Sequence, residues 1–245
     1  MAKVKNGKLH GTVGKTVNRV FRGQEIVQSY PRTLPPRGQT PIENSLFGEC
    51  AKMNGAIYRL IKDFALKGLD YDFSWETMAL LKRNFFQRKT RSVGPDWISV
   101  GAAENLAINK KVSIEEVLNE VPLIDFNGEK VSVLIPAHRE IEKHELMKNT
   151  VSMEYSISLI HYNIHLKMAE VTHVLNSGRN YLTEGLPEKI YEFSLVDDER
   201  SIRDGLVILC FGLRFFESSI SYGYMNSLKF NPTAILGMWW KDTKG

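Results

Sequence analysis

The run GLVILCFGLRFF, residues 205–216, constrains this chain more than any other segment. From Leu206 to Leu213 its side chains are apolar at successive positions, with no polar alternation. A strand with one wet face alternates, so a strand without alternation requires burial on both faces. A central strand is therefore expected here, with Cys210 buried at mid-strand. Arg214 and Glu217 are expected to mark its exit into solvent.

The pattern is β from about Leu123 onward. VSVLIP, VSMEYSISLIHYNIHLKM, KIYEFSL and TAILGMWW are rich in branched and aromatic residues. Turn-like clusters such as NSGRN and VDDERSIRDG separate them. In the longest run, odd positions are apolar from Val151 to Leu159 and even positions from Ile160 to Met168. That parity switch predicts a bulge or tight turn near Leu159 and Ile160. Several such strands predict an immunoglobulin-like antiparallel β-sandwich over residues 123–245.

Residues 40–122 carry the helical period instead. Thr40 is placed to cap, Pro41 suits the first turn, and Glu43 completes a capping box. Ile42, Leu46, Cys50, Met53, Ile57, Leu60, Ile61 and Phe64 then recur three or four apart, and Gly68 is the expected stop. A second helix is expected to be capped by Ser74, with Trp75, Met78, Leu81 and Phe85 as its apolar stripe. Ser113 with Glu116 opens a short third one. WISVGAAENLAI is read as helix, the alternative being a strand followed by a turn.

The first forty residues differ from everything after them. They hold eight Lys or Arg against the single acid Glu25, a balance of +7, and almost no apolar run. Thr16 to Arg22 and Glu25 to Tyr30 read as two strands of a hairpin turning at Gly23 and Gln24. An isolated hairpin is marginal in water, so this one must pack on something else. PRTLPPRG reads as an extended polyproline-type spacer, and its likeness to a polyproline ligand is set aside in favour of a stiff linker. The expected organisation is thus α+β: a basic β-hairpin arm and Pro-rich linker over 1–39, a helical segment over 40–122, and the sandwich over 123–245.

Charge is lopsided over the whole chain. Residues 1–111 balance at +10 and residues 112–245 at −6. Such asymmetry points to a polyanion partner for the basic half or to contact between copies. No stretch approaches the roughly 18 consecutive apolar residues of a membrane span. The N-terminal lysines have no apolar region behind them, so no secretory signal is expected. Cys50 and Cys210 lie far apart in apolar runs and read as buried thiols of a reducing compartment. A cytoplasmic location, or a particle released by lysis, is expected.

Motif look-alikes do not carry chemistry. GTVGKT lacks the first glycine of a phosphate loop, which falls at Leu9, and leads into strands rather than a helix. HYNIH places His161 and His165 four apart but has Tyr162 where a zinc-protease helix needs Glu. Read as strand, it puts His161, Asn163, His165 and Lys167 on a polar, solvent-facing side. His138 and His144 show no ligand spacing. In LKRNFFQRKTR, Lys82, Arg83, Arg88, Lys89 and Arg91 interleave with Phe85 and Phe86, as a nucleic-acid contact would, although a basic helix C-terminus accounts for the same residues. No catalytic residue, cofactor, metal or small-molecule substrate is expected.

The opening pattern G-K-L-x-G-x-V-G-K-T-V, then R-G-x-E-I-V-Q-S-Y-P-R, then T-P, resembles an uncharacterised bacterial protein family. Gly11, Gly14, Lys15, Val17, Gly23, Tyr30, Pro31, Thr40 and Pro41 carry the likeness, with Thr16 standing where the family has Asn. The resemblance implies a glycine-punctuated hairpin, a helical segment and a sandwich, and implies no activity. The expected function is that of a non-enzymatic assembly protein, a homo-oligomer or component of a phage-like or other large particle. Its arm would dock on a neighbour through Lys15, Arg19, Phe21, Arg22, Tyr30 and Arg32. Nucleic-acid binding by the basic half, with Arg88, Lys89 and Arg91, is the alternative. An enzyme with a dispersed site is the third.

Overall fold

The computed structural model describes residues 3–5, 8–13, 16–21, 24–29, 41–65, 70, 72–89, 97–138, 149–196, 202, 204–217, 225–226 and 230–241. At 3–5, 8–13, 16–21, 24–25, 28–29, 41–46, 84–89 and 102 it describes the backbone alone. The chain is a strand-rich α+β protein, and all pairings between its described strands are antiparallel. It divides into two compact units, Met1–Asn44 and Ser45–Gly245.

In the first unit, β1 (Lys3–Lys5), β2 (Lys8–Val13), β3 (Thr16–Phe21) and β4 (Gln24–Ser29) form a four-stranded meander in chain order. Arg19 stands opposite Ile26, and Phe21 opposite Gln24. The two strands read from the sequence are preceded by two more, β1 and β2. KVK and KLHGTV offer too few apolar positions to show an alternation.

The second unit begins within α1 (Pro41–Phe64), which buries Cys50, Met53, Ile57 and Ile61 along one stripe. In α2 (Phe73–Lys89) the buried residues are Phe73, Thr77 and Leu81, whereas Trp75 is 64% exposed. This corrects the expected stripe. The carbonyl of Asp72 accepts from the N–H groups of Trp75 and Glu76, so the helix begins ahead of Ser74. Trp75 then lies about 200° around the axis from Phe73. Ser74 does not cap. Its Oγ and carbonyl instead accept from Asn54 Nδ2, both at 3.2 Å, tying the two helices together.

The strands of this unit are β5 (Ile98–Ser99), β6 (Leu106–Ala107), β7 (Leu123–Phe126), β8 (Lys130–Ile135), β9 (Ser152–Asn163), β10 (Met168–Asn176), β11 (Asn180–Tyr181), β12 (Lys189–Ser194), β13 (Gly205–Phe216) and β14 (Thr233–Lys241). A seven-stranded sheet runs β10-β9-β13-β14-β5, with β11 on β9 and β6 on β14. A three-stranded sheet runs β12-β8-β7. The helix expected in WISVGAAENLAI is absent. Ile98–Ser99 and Leu106–Ala107 pair with β14 on either side of a 3₁₀ turn at Gly101–Ala103. The alternative reading, strand then turn, describes it, because these short strands satisfy the backbone of β14. The short helix α3 (Ile114–Leu118) is present, and Ser113 Oγ accepts from Glu116 N–H at 3.1 Å.

β13 lies between β9 and β14, the central position its unbroken apolar run requires. Two apolar clusters cover it. Val207, Leu209, Phe211, Leu213 and Phe215 pack with Val131, Val133 and Ile135 of β8 and Phe193 of β12. Leu206, Ile208 and Cys210 pack with Met53, Ile57 and Ile61 of α1. Residues 40–122 and 123–245 therefore share a core.

β9 explains the parity switch. Its odd residues Tyr155, Ile157 and Leu159 belong to the first cluster, while Ile160 and Tyr162 belong to the second. The apolar face changes because the covering layer changes, from the small sheet to the helices. The chain does not turn at Leu159–Ile160, and the turn comes at residues 164–167. The bulge near that level is on the partner strand, where Val171 pairs with Ile160 and His173 with Leu159, leaving Thr172 extra. A second bulge leaves Leu236 extra opposite Leu209 and Cys210 on β14. The expected exit at Arg214 is also corrected. Arg214 Nη1 pairs with Glu154 Oε1 at 3.1 Å, and the buried Phe215 and Phe216 extend the strand beyond it.

Candidate interaction surfaces

Of the residues expected to make contacts, Lys15, Arg22, Tyr30, Arg32 and Arg91 lie outside the described residues. Arg19 and Phe21 share one face of β3 by strand alternation, and Arg88 and Lys89 end α2; only their backbones are described. Nearer in the same helix, Leu81 is buried while Lys82 and Arg83 are exposed. Lys82 Nζ stands 5.9 Å from the ring centroid of Phe47.

The four-stranded sheet ends in β1 and β4, each paired on one side among the described residues. Val27 of β4 is 65% exposed. In the second unit β10 is likewise an edge, with Met168, Val171 and Val174 exposed along it. An open edge presents a row of backbone donors and acceptors to another strand. The bulge at Thr172 and the charge of Glu170 are features that limit indiscriminate pairing there.

The histidines do not lie where the strand reading put them. β9 stops at Asn163, whose Oδ1 accepts from the N–H groups of His165 and Leu166, both at 2.9 Å. That local bond starts a turn, which Lys167 closes at a positive φ of 55°. His161 is buried, 4% exposed, and its Nε2–H donates to the Asp204 carbonyl at 2.8 Å. His165 Nε2–H donates to Asp204 Oδ2 at 2.7 Å. The expected solvent-facing row is therefore wrong at His161. The pair ties the 164–167 turn to the start of β13. His138 is also buried, and desolvation lowers its pKa; His144 lies outside the described residues. Among the described residues no three His, Cys, Asp or Glu side chains converge as a metal site would.

A groove of about 530 Å³ lies between α1 and the β10 end of that turn. Lys52 and Arg59, two turns apart on α1, and Lys167 line it above a floor of Ala51, Gly55, Ala56 and Ala169. Its lining contains no acid. The sequence hints at the helical pair through their seven-residue spacing, but Lys167 joins them only through the fold.

An aromatic cleft lies on the β14 side of the sheet, away from β10. Phe126 of β7 stacks on Trp239 of β14, centroids 4.5 Å apart, and meets Trp97 edge-on at 5.7 Å. Trp239 fits because Gly237 has no side chain; a Cβ there would stand 2.3 Å from the indole. One concavity of about 370 Å³ is walled by Phe126, Trp239, Ser99, Glu104 and Asn105. Another of about 400 Å³ is walled by Trp97, Phe126, Asn127, Glu129 and Lys241. Lys241 Nζ lies 5.8 Å from the Trp97 ring centroid. Asn127 Oδ1 accepts from the N–H groups of Glu129 and Lys130, and Gly128 follows it at φ 90°. Asn-Gly between two β-runs is a strong hairpin signal that could have located this rim in the sequence.

No protein-family model, curated protein or solved structure matches the chain.

Proposed function

We propose that this chain is a non-enzymatic structural or assembly protein. In this reading residues 1–39 are a β-hairpin-based arm and linker, and residues 123–245 contain an immunoglobulin-like sandwich. The arm docks by strand addition on a neighbouring subunit or partner, within a phage-like or other large particle. The two facing antiparallel sheets support the sandwich, to which α1 and α2 add a layer on the opposite face. The observation that carries the docking reading is the set of open edges. Strand addition needs an unpaired edge on each partner; among the described residues β4 offers one and β10 the other.

Full-length protein is expected to assemble in solution, and protein lacking residues 1–39 to scatter light as a smaller species that keeps the helices and strands of the Ser45–Gly245 unit. A full-length chain that stays strictly monomeric at high concentration would falsify self-assembly. Loss of the fold on truncation would show that the arm completes the chain's own body.

The groove, with Lys52 and Arg59 from the basic half and Lys167 beside them, favours a second reading, in which the basic half holds a polyanion such as nucleic acid. Each neutralised phosphate releases condensed counterions, so affinity would fall steeply with salt. Replacing these three residues by Ser is expected to flatten the log–log salt slope by about one unit for each phosphate that is no longer neutralised. Arg88, Lys89 and Arg91 form a separate set for the same measurement. A slope unchanged in both sets removes the groove and the 81–91 cluster from the reading, though not the arm.

A further inference from the structure

We infer that the aromatic cleft at Trp97, Phe126 and Trp239 is the seat of the proline-rich segment PRTLPPR, residues 31–37, of a second copy of this chain. The inference rests on the assembly reading and names a surface for it. The segment lies outside the described residues, so its part in the argument comes from sequence.

The cleft has the chemistry that polyproline recognition uses. Such ligands are preformed extended helices with little entropy left to lose, and they dock against aromatic walls. Here three aromatic rings are held in fixed mutual geometry by stacking, by an edge contact and by the absence of a side chain at Gly237. Phe126 is common to both concavities, which makes a ridge with a slot on either side. Leu34, Pro35 and Pro36 supply apolar groups to fill slots of that kind.

Charge supplies the second line of argument. One carboxylate lines each concavity, Glu104 on one side of Phe126 and Glu129 on the other. In the segment, Arg32 and Arg37 bracket Leu34, Pro35 and Pro36. Five residues of polyproline helix span about 15 Å, so the two arginines stand at opposite ends of the apolar stretch. The segment belongs to the +7 arm region, whereas residues 112–245 balance at −6. An arginine–carboxylate contact at each end would fix the ligand along the cleft.

A synthetic peptide of residues 28–39 added to full-length protein tests this through tryptophan fluorescence and light scattering. Excess peptide is expected to shift the fluorescence and dissociate the assembly, while a peptide with Pro35, Pro36 and Arg37 changed to Ala, Ala and Ser does neither. Trp97→Ala is expected to weaken peptide binding about tenfold or more, the loss typical of a buried aromatic anchor. Glu104→Gln with Glu129→Gln alters exposed groups only, so it keeps the fold and gives a second reading of the same loss. Equal peptide affinity in that double variant and the unaltered protein overturns the proposal. Binding of a neutral oligosaccharide at the cleft, with none of the peptide, overturns it too. If deleting residues 1–39 abolishes assembly but the Pro35, Pro36 and Arg37 changes in the full chain leave it intact, the arm docks elsewhere: the assembly reading stands and this inference falls.

Discussion

Cys210→Asp is expected to leave the Ser45–Gly245 unit unfolded at room temperature, while Cys210→Ala costs only about 1 kcal/mol, a small cavity's worth. Cys210 is completely buried on β13, between Ser158 of β9 and Ile235 of β14, on the face covered by α1. Burial pushes its thiol pKa up to about 12. The same desolvation acts on a carboxylate at this position. Aspartate there must either hold a charge inside an apolar cluster, with Ser158 the polar side chain opposite, or take up a proton to lose that charge. Either cost is several kcal/mol against a total stability of about 5–15 kcal/mol. Circular dichroism and tryptophan fluorescence of the purified variants separate the two outcomes. The native thiol is expected to ignore a thiol reagent near neutral pH and to react on unfolding, since thiolate is scarce and the strand is covered. Rapid native labelling at Cys210, or a folded Cys210→Asp variant, would put β13 at a surface and contradict the packing described above.

Cys210 also shows why the centre of this fold is legible in the sequence. A run apolar on both faces has one stable environment, so Leu206–Leu213 announces its own position in the sheet. The stripe of Cys50, Met53, Ile57 and Ile61 is equally explicit, because three-and-four spacing has meaning only on a helix. Residues 97–108 mislead because β5 and β6 are two-residue strands that exist only by pairing with β14. No periodicity fits in two residues. Trp75 misleads because the buried face of α2 is the one holding Phe73, Thr77 and Leu81, and Trp75 lies about 200° around the axis from Phe73. The interaction surfaces are the least legible. Lys167 joins Lys52 and Arg59 across more than a hundred residues of sequence, and Phe126 meets Trp239 in the same way. Local pattern carries no information about such meetings. His161 shows the converse: a polar residue in an alternating run reads as wet, whereas its imidazole is satisfied by a carbonyl inside the fold.

Gly205→Ala is the second substitution expected to be severe, with a stability loss of about 2–4 kcal/mol. Gly205 opens β13 at a φ of 111°, a backbone conformation that side-chain-bearing residues rarely adopt. A Cβ there would stand 2.2 Å from the Tyr162 carbonyl oxygen and 2.9 Å from His161 Nε2. The carbonyl is part of the β9 backbone and cannot rotate away as a side-chain tip could. Relief requires the strands to part where Leu206 pairs with Tyr162, and it breaks the bond from His161 to the Asp204 carbonyl. Two other glycines calibrate the effect. Gly178 also has a positive φ, 75°, but nothing lies within 4 Å of an added Cβ, so Gly178→Ala carries backbone strain alone, about 1–2 kcal/mol. Gly55 lies inside α1 with open space around it, and Gly55→Ala is expected to stabilise by about 0.5–1 kcal/mol. Denaturant midpoints followed by tryptophan fluorescence should therefore rank Gly55→Ala above the unaltered protein, then Gly178→Ala, then Gly205→Ala last. A Gly205→Ala midpoint equal to that of Gly178→Ala would mean that the close approach of β13 to the Tyr162 carbonyl is absent in solution.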